Sequence, residues 1–546
     1  MSSSNSYGCQ NSKTLNGLLK TELGFQGFVV SDWGAQHAGY DSAWAGLDVA
    51  MASGEGYFEE HLVQAVNNGS ISEARVSDMA TRIIASWYQL GQDQDFPEPG
   101  IGMPVSVVEP HDIIDARSPD ALPVLYQGAV EGIVLVKNEK NALPLQKPRL
   151  MGVYGYSAKA PNVQQPNGLG FYDPWVFGLQ PANVTEVILG FILDPTAEVV
   201  PSNVALNGTM ISGGGSGATS AANPIAPLEA LKVRAARDNT IVYWDTESAE
   251  PGVHPASDAC IVIGNAWATE GHDRPSLHDD YTDGLILSVA SRCNNTIVVF
   301  HNAGIRLVDQ FVNHPNVTAI VFAHLGGQDS GPALTAVLYG DENPSGKLPY
   351  TVAKNETDYG AILSPTQAEG QYVNFPQSDF IEGVFIDYKH FDAYNITPRY
   401  PFGFGLSYST FAYSDLVVTP TKGASTAALP SGDVAEGGRA DLWDVLVGVT
   451  VTVANTGAVG GQEVAQLYLG IPRSGDEAKT PVKQLRGFNK QFIAAGDQTE
   501  MAFEFTRRDL SYWDVDAQKW RLRSGEYTVW AGPDSGNLPL SATVTF

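Results

Sequence analysis

The sequence predicts a multidomain α/β protein: a first βα region, an α/β sandwich with a mostly parallel sheet, and a C-terminal β-sandwich of immunoglobulin or fibronectin III type. Three observations carry that prediction. Short, almost wholly apolar runs separated by helical stretches fill residues 120–365. From about residue 411 the hydrophobic period changes to two. The length of 546 residues suggests three or four domains, at roughly 150 residues each. Apolar residues make up 43 %, enough for several cores.

In chain order, residues 1–100 alternate helix and strand. Leu15, Leu18 and Leu19 belong to a helix ending near Gly24. GFVVSD, residues 27–32, reads as the end of a buried strand. Residues 57–67 are helical. A further helix starts at Ser72 and carries Val76, Met79, Ala80, Ile83, Ile84 and Trp87 on one face, with Gly91 as its stop. A strand feeding helices is a βα unit, yet one or two strands cannot close a parallel sheet. The Pro- and Gly-rich run 93–111 reads as a linker, with the boundary placed at 101–119.

Residues 120–365 hold IVLVKN (133–138), MGVYGY (151–156), ACIVIGN (259–265), TIVVFHN (296–302) and TAIVFAH (318–324). Runs this uniformly apolar suit strands covered on both faces, hence a mostly parallel sheet. Residues 366–410 connect onward. Between 411 and 546, VGVTVTVANTG, VAQLYLGI, MAFEFT, EYTVWAG and SATVTF alternate, with turn residues between them, as sandwich strands do. TPTKGASTAALPSGDVAEGGRA (419–440) reads as a low-complexity loop.

The formal charge of −28 argues against nucleic acid and anionic membrane surfaces as partners. No run of about 20 apolar residues suits a membrane span, and no secretory leader is visible at the start. Three cysteines are too few for a disulfide framework. Cys260 and Cys293 flank one strand–helix segment and are able to pair, which leaves Cys9 over. Seven N-x-[ST] triplets, at Asn68, Asn183, Asn207, Asn294, Asn316, Asn355 and Asn395, exceed chance expectation and favour the secretory pathway.

Two stretches carry candidate chemistry. Asp32 ends an apolar strand and is followed by Trp33. A buried charge is costly unless paired, so Asp32 is either a turn or helix cap or a reacting group. Trp33 is either core or a flat platform for a sugar face. The second stretch, GNAWATEGHDRPSLHDDY (264–281), follows a strand directly, at the carboxyl end where open α/β sheets bind ligands. It holds Glu270, His272, Asp273, Arg274, His278, Asp279 and Asp280, in a spacing that fits no metal pattern. A solvated polar loop is the ordinary reading of such a run; a carboxylate pair with Asp32 across a domain cleft is the sharper one. GGGSG (213–217) lacks the Gly-Lys-[ST] ending of a phosphate loop and reads as a plain loop.

GFQGFVVSDWGA, GNAWATEGHDRPSL, HNAGIRLVDQF, GDENPSGKLPYTV and RYPFGFGLSYSTF, in this order and over nearly the whole chain, resemble glycoside hydrolase family 3, closest in flavour to the fungal β-glucosidases. The resemblance implies a (β/α) barrel, of which residues 1–100 are a C-terminal remnant, then an α/β sandwich and a fibronectin III-like domain. It implies Asp32 as nucleophile, Glu270 as acid/base, and Trp33 and His272 at the sugar subsite. At 272 the family usually has Tyr. It implies a secreted hydrolase acting on an oligosaccharide or an aryl or alkyl β-glucoside, with neither metal nor organic cofactor. Only about 30 residues precede SDW, so most of the barrel that grips the sugar hydroxyls is missing. A β-xylosidase-type exo-glycosidase and a non-catalytic carbohydrate-binding remnant therefore stay open beside the β-glucosidase reading.

Overall fold

The computed structural model describes residues 2–3, 6–51, 53–54, 56–95, 117–162, 204–213, 223–268, 274–363, 369–370, 379–473 and 480–546. The first region is a layer of helices. Helix α1 (Lys13–Glu22) is a π-helix that buries Leu15. Helices α2 (Tyr40–Ala45), α3 (Glu60–Asn67) and α4 (Glu73–Gln89) follow. The Ser72 hydroxyl caps α4 by accepting from the Arg75 amide at 3.3 Å, satisfying one of the donors a helix start leaves over. Leu15, Ala43, Leu47, Phe58, Ala65, Ile71 and Met79 form its small core.

Two expectations are corrected here. The buried strand over 27–32 is a single parallel bridge between Val30 and Val49, and Val30 is 45 % exposed. With one short partner, a ladder has nothing to extend along. The apolar face of α4 exists, but of it only Met79 is buried; Ile84 and Trp87 stand exposed, since no described element covers that side. Residues 101–116 of the expected linker lie outside the described residues.

Helix α5 (Ala121–Gly132) leads into a six-stranded sheet. Its strands are β1 (Val134–Asn138), β2 (Leu150–Tyr154), β3 (Ile241–Asp245), β4 (Ala259–Ala266), β5 (Thr296–Asn302) and β6 (Val317–Phe322), in the order β1-β6-β5-β4-β2-β3. All neighbours are parallel except β1 against β6. Strands β4, β5 and β6 are buried at every residue, as their apolar runs require. Alternate residues feed two cores, Ile261, Val299 and Val321 on one face and Val262, Val298 and Phe322 on the other. Helices α6 (Pro227–Asp238), α7 (Asp280–Ala290) and α8 (Ser330–Tyr339) cover the sheet. Cys260 of β4 and Cys293, just past α7, form a disulfide.

Helix α9 (Tyr388–Tyr394) precedes the sandwich. Strand β7 (Phe411–Pro420) opens it. The expected loop 419–440 holds a hairpin, β8 (Val434–Ala435) with β9 (Gly438–Arg439). At its tip the Gly437 and Gly438 amides donate to the Leu23 carbonyl at 2.7 and 3.1 Å, so the sandwich reaches back to the end of α1. The main strands are β10 (Val445–Asn455), β11 (Gly461–Gly470), β12 (Gln484–Ile493) and β13 (Gln498–Thr506). The short pair β14 (Ser511–Asp514) and β15 (Lys519–Leu522) comes next, then β16 (Glu526–Gly532) and β17 (Leu540–Thr545). They pair antiparallel as β13-β10-β7 and β12-β11-β16-β17, the two layers of a fibronectin III-like sandwich.

The PFGFGLSY run is the joint between sandwich and sheet. Gly403, at φ +81°, lies where a Cβ would come within 2.2 Å of Gln466 Oε1, so only glycine fits. Gln466 Nε2 donates to the Gly403 and Pro533 carbonyls at 3.0 and 2.6 Å. The Tyr408 hydroxyl donates to Val337 O of α8 at 2.7 Å.

Candidate active site

Asp32 rests on a backbone pinned from beneath by a different carboxylate. Asp48 follows Leu47, and its side chain is fully buried. It accepts from Lys20 Nζ at 2.8 Å, Arg75 Nη2 at 2.7 Å and the Val29 amide at 2.8 Å. Two cations and an amide compensate the buried charge, as a buried carboxylate requires. The Val29 carbonyl in turn accepts from the Asp48 and Val49 amides at 2.9 and 3.0 Å. One step on, the Ser31 amide donates to Val49 O, and the Ser31 hydroxyl accepts from the Met51 amide at 2.9 Å. The chain is therefore fixed up to the residue before Asp32.

Asp32 itself is exposed. It caps no helix but opens a turn: the Ala35 amide donates to its carbonyl at 3.2 Å and the Trp33 amide to its Oδ1 at 2.7 Å. Gly34, at φ +68°, turns the chain and donates to Met51 O at 3.2 Å. Trp33 is 73 % exposed, which rules out the core reading of that ring. Burial pushes the Cys9 thiol's pKa up, and the nearby Asp32 charge adds to the shift. Cys9 is the cysteine left outside the disulfide.

Glu270 and His272 lie outside the described residues. The flanks of their segment are described. Before it, Trp267 follows β4 and is buried, and Ala266 O accepts from the Ala303 amide at 2.8 Å. After it, Arg274 Nη2 donates to Ile305 O at 2.9 Å. Glu356 accepts from the Ser276 hydroxyl and the Leu277 amide. Asp279 caps α7 through the Thr282 amide at 2.6 Å. Buried Arg306 joins Asp279 and Asp283 at 3.1 and 2.6 Å. Burial nevertheless raises the Asp283 pKa against the pull of Arg306. Of the expected polar loop, residues 274–280 are thus anchored onto the carboxyl edge of the sheet.

That edge also holds a hydrogen-bond chain that sequence reasoning missed. Asn302, the last residue of β5, donates from Nδ2 to the Tyr350 hydroxyl at 2.7 Å. Tyr350 lies 2.7 Å from His324 Nε2, and His324 Nδ1 lies 2.9 Å from Gly132 O. A carbonyl only accepts, so Nδ1 carries the ring proton and Tyr350 donates to Nε2. Burial lowers the His324 pKa and raises that of Tyr350, which keeps both neutral. His301, one position before Asn302, is fully buried between the Ser157 and Ser330 hydroxyls at 2.9 and 3.1 Å. Burial pushes its pKa down to about 4. Neither cluster has a local signature, because each joins segments far apart in sequence. Asp48 had one: an acid between Leu47 and Val49 in an otherwise apolar stretch.

Known families match this arrangement along most of its length. The glycosyl hydrolase family 3 C-terminal domain matches residues 133–408, its N-terminal domain residues 2–86, and a fibronectin type III-like domain residues 463–535. The chain belongs to glycoside hydrolase family 3. It is 51 % identical to the "Probable beta-glucosidase M" of Aspergillus niger over 537 residues, 98 % of this chain and 66 % of that protein. It thus spans just under two thirds of that relative's length. Among solved structures, the beta-D-glucoside glucohydrolase of Trichoderma reesei superposes with a TM-score of 0.81 at 35 % identity, covering 99 % of this chain and 71 % of that one. The beta-glucosidase D2-BGL of Chaetomella raphigera gives 0.82 at 35 %, with the same coverage.

Proposed function

We propose that the protein hydrolyses terminal β-D-glucosyl residues by the retaining route, with Asp32 as nucleophile and Glu270 as acid/base. The observation that carries this reading is the exposed Asp32 carboxylate, held on a backbone that Asp48 and Ser31 fix, beside the uncovered ring of Trp33. A nucleophile needs a rigid mount and an open face. The names of the relatives supply the sugar and the reaction class.

In the first step an Asp32 oxygen attacks the anomeric carbon, and the leaving oxygen takes the Glu270 proton. In the second, Glu270 takes a proton from water, whose oxygen displaces Asp32 and frees the sugar. Retaining enzymes set the two carboxyl groups about 5–5.5 Å apart. The acid must stay protonated while the nucleophile stays charged, so their environments must differ; mounting them on separate regions allows that. Trp33 offers the sugar a flat apolar face, and His272 completes the subsite at the position where the family resemblance implies Tyr. The Cys260–Cys293 disulfide and the glycosylation triplets support a secreted protein.

The test is hydrolysis of an aryl β-glucoside by this chain and by Asp32→Ala, with the first-formed anomer read by NMR. Activity that yields the β anomer and disappears in the variant is expected. An active Asp32→Ala, or an α product, would overturn the mechanism. A parallel panel of aryl xylosides separates glucosidase from xylosidase action. A folded, inactive parent returns the chain to the carbohydrate-binding remnant.

A further inference from the structure

A cavity of about 450 Å³ opens at the amino edge of the six-stranded sheet, between the end of β1, the turn before β6 and the segment 399–406. Strand β6 carries the chain six residues, about 20 Å, from there to the carboxyl edge, so the cavity is separate from the candidate active site. Its walls are tied in place. Lys137 Nζ donates to Val312 O at 2.6 Å and Lys140 Nζ to Pro315 O at 2.7 Å, which holds the turn 312–315 against the end of β1. On the other side the Leu406 amide donates to Leu135 O at 2.8 Å, and Arg399 grips Asp309 with two bonds. Walls held this way spare a ligand the cost of ordering them.

Two features say what the cavity suits. The first is charge. Lys137 Nζ lies 3.4 Å from Glu139, and Arg399 is paired with Asp309, so each lysine or arginine lining the cavity has a carboxylate of its own. Neither an anion nor a metal cation finds an unmatched charge there. The second is Tyr400. It is 7 % exposed, and its ring stacks on Phe404. Its hydroxyl lies near Glu139, Asp309 and Arg399 but makes no hydrogen bond among the described residues; burial pushes its pKa up, so it stays neutral, able to donate and to accept. A polar group this buried ordinarily has a partner, and this one opens onto the cavity. The exposed Glu139 carboxylate and the exposed Asn313 amide stand at the rim, while Val312, Pro315 and Leu406 supply apolar surface.

We infer that this cavity is a saccharide site, distinct from the candidate active site, that takes a neutral mono- or disaccharide. A sugar ring carries no charge that needs pairing. Its hydroxyls donate and accept, and its C–H faces are apolar, which matches a wall of mixed donors, acceptors and aliphatic groups. The Tyr400 hydroxyl donates to one ring hydroxyl, the Glu139 carboxylate accepts from another, and a C–H face rests on Pro315. The volume lies within the range of small-molecule sites, about 300–1,000 Å³. Binding here needs neither Asp32 nor Glu270, so the inference stands apart from the hydrolytic reading and survives an inactive chain.

Methyl NMR of the full chain tests it, with glucose as the probe because it has no glycosidic bond to cleave. Val136, Val312 and Leu406 report on the cavity, and Val30 and Val49 on the backbone beneath Asp32. Glucose should shift the three cavity methyl sets along one saturable curve. Tyr400→Phe and Glu139→Gln should each raise the half-saturating concentration about five- to tenfold, the worth of one hydrogen bond. Shifts confined to Val30 and Val49, no saturable shift at the cavity, or an unchanged midpoint in either variant would overturn the assignment. So would equal shifts with sorbitol, which lacks the ring, or with sulfate, which needs a free positive charge. The Tyr400 hydroxyl has no internal partner to lose, and unshifted Val321 and Val449 methyls show that the variant keeps its fold. Glu139 is exposed, so its variant reads the site even where the tyrosine variant fails to fold.

Discussion

The helical region before residue 95 and the sheet region after residue 133 solve the same problem in opposite ways. In the sheet region, β4, β5 and β6 bury every residue, and the order of the backbone follows from apolar packing on two faces. In the first region one bridge pair stands where strands were expected, and the backbone beneath Asp32 is held by a buried carboxylate with two cations and an amide. The candidate nucleophile thus sits in the region with the smaller core, where ionic clamps replace layers. Such regions are where local opening is easiest, so the geometry of Asp32 depends on a few polar contacts that can be removed one at a time.

Removing Asp48 breaks the comparison most sharply. Asp48→Ala leaves buried Lys20 without its carboxylate, Arg75 with Asp78 alone as its ion-pair partner, and the Val29 amide without an acceptor. Breaking such a cluster costs about 3–5 kcal/mol. Hydrogen exchange should rise across residues 13–89 while β4–β6 stay protected, and the proposed glucosidase activity should fall with it. Equal deprotection of the sheet would show that the two regions do not open independently.

The disulfide is the sheet region's one covalent constraint among the described residues. Its sequence separation is 33, for which loss of the cross-link costs about 3–4 kcal/mol. Cys260→Ala with Cys293→Ala should lower the denaturant midpoint of the sheet region and leave exchange in residues 13–89 unchanged. A midpoint shift confined to the first region would reverse that assignment.

His301 makes the sheet region pH-dependent. Burial lowers its pKa from 6.5 to about 4, so between those values the unfolded chain binds a proton that the folded chain refuses. Its contribution is complete above pH 6.5, declines as pH falls toward 4, and amounts to about 3 kcal/mol in all. Urea titrations at pH 7 and pH 4.5 should show a smaller loss on acidification in His301→Gln than in the parent. Equal losses would exclude His301 as the cause.

The same contrast explains what could be read from sequence. Fully apolar runs revealed β1, β2, β4, β5 and β6, because a strand covered on both faces has no polar side to confuse it. Strand β3 was missed although residues 241–244 form an apolar run; the run is short, and in the fold Ile241, Tyr243 and Trp244 stand exposed at the sheet edge. GFVVSD was overread for the converse reason: its composition suits a strand, but its partner is a single residue, Val49. Asp32 and Trp33 were legible as an acid and a ring ending an apolar run, and the family resemblance assigned their roles. The Asn302–Tyr350–His324 chain and the Ser157–His301–Ser330 cluster were not, because each is completed by residues distant in sequence; Asp48 stood out as an acid in an apolar stretch, but its partners Lys20 and Arg75 did not. The hairpin within 419–440 was hidden likewise: its Gly- and Ser-rich composition is that of a loop, and its partner is Leu23.

That hairpin gives the finest test, since it decides whether the first region stands alone. Gly24 has φ +63°, and a Cβ there would lie 2.3 Å from Ala435 O. Gly24→Ala therefore meets a left-handed backbone that costs about 1–2 kcal/mol for other residues, and a clash that pushes the hairpin off Leu23. The Gly437 and Gly438 amides would lose their shared acceptor. Proteolysis should then speed up within 431–443 and at the end of α1, with the melting of the sandwich core unchanged, because Val449, Leu467 and Tyr527 lie in a separate cluster. If activity also falls in this variant, the sandwich steadies the Asp32 region through the hairpin. If proteolysis rises while activity holds, the Asp48 and Ser31 contacts keep the candidate nucleophile in place without the hairpin.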